Sequence, residues 1–135
     1  MLTGLPQLNF RNGGFFRFED YDTWVMHYWL LNKRNSGTVA RMILARLDQP
    51  VHLSAKARRE FDNAMRTMLF NVFRYYTRNR DFSGFERLER HGYIDADSLE
   101  RMLQDTQTRG ETEATGYLLE MKNRSFGIRD EDFSL

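Results

Sequence analysis

The sequence predicts a mainly α protein: a compact bundle of about six helices with a small N-terminal β-hairpin. Three observations carry this. Apolar residues recur at helical spacing through most of the 135 residues. Cap and stop residues fall between those stretches. Alternation of apolar and polar residues, the mark of a strand, is confined to the first eighteen positions.

The hairpin is expected over residues 8–18. Leu8-Asn9-Phe10-Arg11 and Phe16-Arg17-Phe18 alternate, and Asn12-Gly13-Gly14 between them supplies the positive φ that a tight turn needs. Glu19, Asp20 and Asp22 then stand where a helix N-terminus favours negative charge. Trp24, Tyr28 and Leu31 give the first helix its inward face, and Asn35-Ser36-Gly37 is expected to stop it. The second helix carries Val39, Met42, Ile43 and Leu47 and ends at Asp48-Gln49-Pro50. Ser54 caps the third and longest helix, which runs to about Arg80 with an apolar stripe of Phe61, Met65, Met68, Leu69, Val72 and Tyr76. Ser83-Gly84-Phe85-Glu86 has the form of a capping box and opens a short helix ending near Gly92. Asp95 or Asp97 caps the next helix, with Leu99, Met102 and Leu103 inward and Gly110 closing it. The last helix places Ala114, Tyr117, Leu118 and Met121 on one side and fades by Gly127, leaving residues 128–135 as an acidic tail.

Length and composition set the broad class. A chain of this size buries a real core without staples, and no Pro/Gly/Ser-rich linker interrupts it, so residues 1–135 are expected to form one domain. The absence of cysteine removes disulfides, thiolate catalysis and Cys-ligated zinc. There is no charged-then-apolar leader and no long apolar run, so a cytoplasmic protein with no membrane association is expected.

The near-neutral total of +1 hides a charge break. From Thr23 to Arg80 there are eleven Lys/Arg against three Asp/Glu, and from Asp81 to Leu135 seven against thirteen. A basic helical middle over 23–80 followed by an acidic helical hairpin over 81–127 points to binding through surface fields. Arginine outnumbers lysine seventeen to three, which suits bidentate contact with phosphate or carboxylate, although a GC-rich genome biases codon use the same way.

The candidate binding residues lie mostly on the third helix. With successive side chains about 100° apart, Lys56, Arg59, Arg66, Arg74 and Arg78 fall opposite the apolar stripe. Phe70 falls there too, with Arg66 one turn before and Arg74 one turn after. An aromatic between two arginines suits base stacking or a partner hot spot, unless Phe70 packs beneath another helix. Arg80 extends the set, and the second helix adds Arg41 and Arg46, with Lys33 and Arg34 just before it. Helices two and three could form a DNA-reading helix-turn-helix, but their connection is longer than the usual tight turn.

The segment from Leu99 to Glu120 resembles the helix-turn-helix of an ankyrin-type repeat. Gly110-x-x-Glu113-x-x-x-x-Leu118-Leu119-Glu120, with Leu103 seven residues before the glycine, carries the likeness. The repeat's Thr-Pro-Leu-His opening is missing, and no second copy recurs at a period of about 33 residues. The resemblance implies a packed helical hairpin of a kind that serves protein contacts.

Chemistry finds little support. His27, His52 and His91 share no metal-ligand spacing. Asp95-Ala96-Asp97 with Glu100 lacks the glycine and span of a calcium loop. No G-x-S-x-G and no phosphate-cradling glycine loop occurs. The expected function is therefore non-enzymatic, with no cofactor. The chain is expected to dock its basic Arg/aromatic face on nucleic acid or a nucleic-acid-handling protein, in the manner of a mobile-element accessory protein or inhibitor. The alternative is a helical interaction module that self-associates into a homo-oligomer, its basic and acidic halves attracting each other between copies.

Overall fold

The computed structural model describes residues 17–32 and 34–126. Six α-helices follow one another: α1 (Phe18–Leu31), α2 (Ser36–Asp48), α3 (Ala55–Arg78), α4 (Ser83–Arg90), α5 (Ala96–Thr108) and α6 (Thr112–Met121). A π-helical turn over Lys122–Phe126 follows α6. The mainly α class holds, and no strand occurs among the described residues. Most of the expected hairpin, including its Asn12-Gly13-Gly14 turn, lies outside them. Phe18, expected to end the second strand, is instead the first helical residue, behind an extended Arg17. No described helix is long and apolar enough to cross a membrane.

The chain forms two compact units, Met1–Val72 and Phe73–Leu135, which divide within α3. In the first unit, Val25, Val39, Ile43, Leu44, Phe61 and Met65 are wholly buried. Leu31, expected to face inward, is 81% exposed; the buried residues of α1 are Asp22, Trp24, Val25, Met26 and Tyr28. Helix α1 also ends earlier than expected. The Asn32 backbone N–H and side-chain amide both donate to the Tyr28 carbonyl, at 2.9 and 3.1 Å, which closes the helix there. Ser36 and Gly37, expected to stop α1, are buried in the first turn of α2. The Ser54 hydroxyl accepts from the Ala57 N–H at 3.0 Å and caps α3 as its sequence predicts.

Arg46 joins three parts of this unit. Its Nε and Nη2 donate to the two Asp22 carboxylate oxygens on α1 at 2.7 and 3.0 Å. Nη1 and Nη2 also donate to the Gln49 and Val51 carbonyls beyond α2, at 3.2 and 2.9 Å. The guanidinium carbon lies 4.4 Å from the Phe18 ring centroid. Both ions are buried, Arg46 at 5% exposure and Asp22 at 2%. Arg46 therefore belongs to the interior of the unit and not to the basic surface expected of α2.

The second unit is built on aromatic rings. Phe73, which lies outside the stripe expected from sequence, is wholly buried and stacks on Phe85 with centroids 5.4 Å apart. Phe82 stacks on Tyr117 at 5.7 Å, and Tyr76 meets Phe85 edge-on at 6.4 Å. Gly84 lies so close to Tyr76 that a Cβ there would fall 2.5 Å from the ring. The expected Ser83–Glu86 capping box does not form. Phe82 holds the cap position without a side-chain hydrogen bond, and the Ser83 hydroxyl donates to Asp81 Oδ1 at 2.6 Å. The box does form at α5, where Asp95 Oδ1 accepts from the Ser98 N–H at 2.7 Å and the Ser98 hydroxyl accepts from the Asp95 N–H at 2.8 Å. Gly110 adopts the predicted positive φ, 70°, and ends α5. Helices α5 and α6 are joined through the Thr115 hydroxyl, which donates to Thr106 at 2.8 Å.

Candidate nucleic-acid interface

The basic residues expected to bind fall into three environments. In the first unit, Lys56 and Arg59 are exposed near the start of α3, and Arg58 between them is exposed as well. Among the described residues these three make no ion pair and no hydrogen bond through their side chains. The first turn of α3 contains no acidic residue. Lys56 and Arg58 thus stand in the first turn, at the positive end of a helix dipole, where each is disfavoured by about 0.3–1 kcal/mol, and Arg59 follows directly. Ser54 satisfies one orphan N–H of that turn, and the nearest carboxylates along the helix, Glu60 and Asp62, come only in the second turn. Arg41 on α2 and Arg66 on α3 are exposed, and Phe70 is half-buried. Phe70 thus lies between the two alternatives its sequence position left open.

In the second unit, Arg74 is held by its own fold. Its Nη1 donates to Asp105 Oδ2 at 2.8 Å and to Glu111 Oε1 at 2.7 Å, and Nη2 reaches Glu111 Oε2 at 3.2 Å. Its side chain is 17% exposed, and the Glu111 hydrogen bond, foremost among several causes, pushes its pKa further up. The guanidinium is oriented toward α5 and the start of α6, so the structure does not present it as the second arginine flanking Phe70. The one-turn spacing is real, but two carboxylates brought close by the α5–α6 turn orient the guanidinium. No local signal in the sequence places them there.

Arg78 and Arg80 form the third environment. Both are exposed, and both line a pocket of about 590 Å³ with Thr77, Phe82, Thr112 and Glu113. Arg80 ends α3 in the left-handed region at φ 52°, with the Asp81 N–H donating to the Tyr76 carbonyl at 2.9 Å. Its Nε stands 3.9 Å from Glu113 Oε1, beyond hydrogen-bond reach. Helical spacing alone groups Lys56, Arg59, Arg66, Arg74 and Arg78 as one stripe, which Arg80 extends. It misses Arg58, which lies off the line drawn opposite the apolar stripe, and it misses the pocket, whose other wall is distant in sequence. Lys33 lies outside the described residues. No group of three or more His, Asp or Glu is placed to hold a metal among the described residues.

Compared with protein-family models, curated proteins and solved structures, the chain matches none.

Proposed function

We propose that the chain is a non-enzymatic binding protein that docks the exposed basic start of α3, with Arg41, Arg66 and Phe70, on the phosphate backbone of nucleic acid. One observation carries this reading. Lys56, Arg58 and Arg59 are exposed near a helix N-terminus whose first turn holds no acidic residue, and they make no ion pair among the described residues, a placement that weakens the helix. Unpaired guanidiniums on a rigid helix are suited to polyanions, since each phosphate contact releases condensed counterions. Arg41 and Arg66 add exposed positive charge nearby in sequence, and Phe70 is half-buried one turn beyond Arg66.

The test is binding of a fluorescent single-stranded oligonucleotide across a salt series. The wild-type affinity falls steeply with salt, and the Lys56→Ala/Arg58→Ala/Arg59→Ala variant flattens the log–log slope by about one for each phosphate it no longer neutralises. Folding stability of that variant stays level or rises, because it removes cations from the positive helix end. An unchanged slope in a folded variant rejects the interface.

A second reading has one observation in its favour. Leu30 and Leu31 are 57% and 81% exposed, beside a groove of about 420 Å³ lined by Trp24, His27 and Tyr28 on α1. Exposed leucines next to such a groove fit the self-associating interaction module.

A further inference from the structure

The second-unit pocket carries both signs of charge in separate states of readiness. Arg78 has no ion pair or hydrogen bond among the described residues, and Arg80 forms only a loose, exposed ion pair with Glu113 at 3.9 Å, so neither of these two has given the other a hydrogen bond. Glu111 on the same wall does not compete, because Arg74 holds both of its oxygens. Phe82 gives the pocket an apolar flank, fixed by its stack on Tyr117 at 5.7 Å.

A ligand matched to this wall has negative charge for Arg78 and Arg80 and a hydrogen-bond donor for Glu113. It is also larger than a bare ion, since about 590 Å³ lies in the range of small-molecule sites. We propose that the pocket binds a single nucleotide with an amine-bearing base. The phosphate sits on Arg78 and Arg80, which can grip it bidentately, and the exocyclic amine donates to Glu113. The choice of a nucleotide among anionic amines rests on the nucleic-acid reading above; the pairing of charges does not. Glutamate accepts from the cytosine amine, whereas uracil offers a carbonyl at the same place and meets the carboxylate unfavourably.

The experiment is a titration of the full chain with cytidine 5′-monophosphate, uridine 5′-monophosphate and inorganic phosphate, followed by backbone amide shifts. The cytidine nucleotide moves amides of residues 77–82 and 112–114, and it binds at least about fivefold tighter than the uridine nucleotide, as a carboxylate–amine contact requires. Inorganic phosphate binds about tenfold more weakly than the cytidine nucleotide, having no base to engage Glu113. Arg80→Gly folds, because glycine accepts the positive φ, and weakens cytidine nucleotide binding about tenfold. Glu113→Gln removes the preference for cytidine over uridine. Equal binding of the two nucleotides, phosphate as tight as either, or an unaffected Arg80→Gly variant overturns the proposal. Oligonucleotide binding that depends on Lys56, Arg58 and Arg59, with pocket amides unmoved by cytidine nucleotide, sinks the pocket and leaves the interface standing. The reverse pattern sinks the interface alone.

Discussion

The strongest residue-scale commitment is the buried pair of Arg46 and Asp22. Two ions taken out of water stabilise a fold only when geometry and further hydrogen bonds offset desolvation. Here the guanidinium has both carboxylate oxygens, two carbonyls and an aromatic face. Removing one ion leaves the other uncompensated, so Asp22→Ala is expected to lower stability by about 3–5 kcal/mol. An apolar double replacement, Asp22→Leu with Arg46→Met, recovers most of that loss if the pair acts as a packed strut. Urea midpoints of the three proteins check both statements. Tyr117 offers a pH-dependent test. Burial, then its hydrogen bond to Glu86 and that carboxylate's charge, push its phenol up to about 12 from 10.0. Because the folded value lies above the unfolded one, the stabilisation is present in full below pH 10 and is lost as pH rises toward about 12. The difference in phenolate absorbance between the folded chain and its Tyr117→Phe variant, titrated against pH, isolates this midpoint from the other five tyrosines; one near 10 would contradict the environment described.

At the scale of elements, caps and close approaches separate what is local from what is not. The Asp95–Ser98 box depends on residues three apart, and Asp95→Ala is expected to cost about 1 kcal/mol, read as lower amide protection in the first turn of α5. The Ser98 N–H, chief among several hydrogen bonds, holds the Asp95 carboxyl below its ordinary value of 3.8. Its contribution is therefore present above that value and fades as pH falls below it. Gly84 is the opposite case. Its spacing in Ser83-Gly84-Phe85-Glu86 suggests a cap, yet its role is to admit the Tyr76 ring. Gly84→Ala is expected to cost about 1–3 kcal/mol through overpacking, measured by thermal unfolding. An unchanged Tm would mean that Tyr76 moves aside freely.

For the whole molecule, the compact units and the charge break do not coincide. The charge break lies at Arg80, whereas the units divide at Val72 and Phe73. The last three basic residues of the middle, Arg74, Arg78 and Arg80, thus belong to the acidic unit. Arg74 meets Asp105 and Glu111 there, and Arg80 lies near Glu113, so part of the contrast is answered within one unit. If copies associate through what remains, the attraction is screened over about 8–10 Å at moderate salt. Sedimentation velocity is then expected to show self-association at low ionic strength that disappears near 0.5 M salt, about the range where screening falls to a few ångströms. Association that persists at high salt would favour the exposed Leu30 and Leu31 beside the α1 groove.

The sequence by itself determined the helices, because their signals are local. Periodicity placed Phe61, Met65, Met68 and Val72 inside, Ser54 and Asp95 are caps that act within three residues, and Gly110 supplies a backbone conformation other residues resist. It also placed Lys56 and Arg59 opposite the apolar stripe, where both are exposed, although it left out Arg58 between them. Tertiary structure alone decided which arginines reach the surface. Arg46 and Arg74 look like Arg59 and Arg78 in sequence, and they differ only because folding brings Asp22, Asp105 and Glu111 within hydrogen-bond distance. The same holds for Phe73, Gly84 and the Arg78–Arg80 pocket. Their roles are set by partners on other helices, and contacts of that kind leave no mark on local spacing.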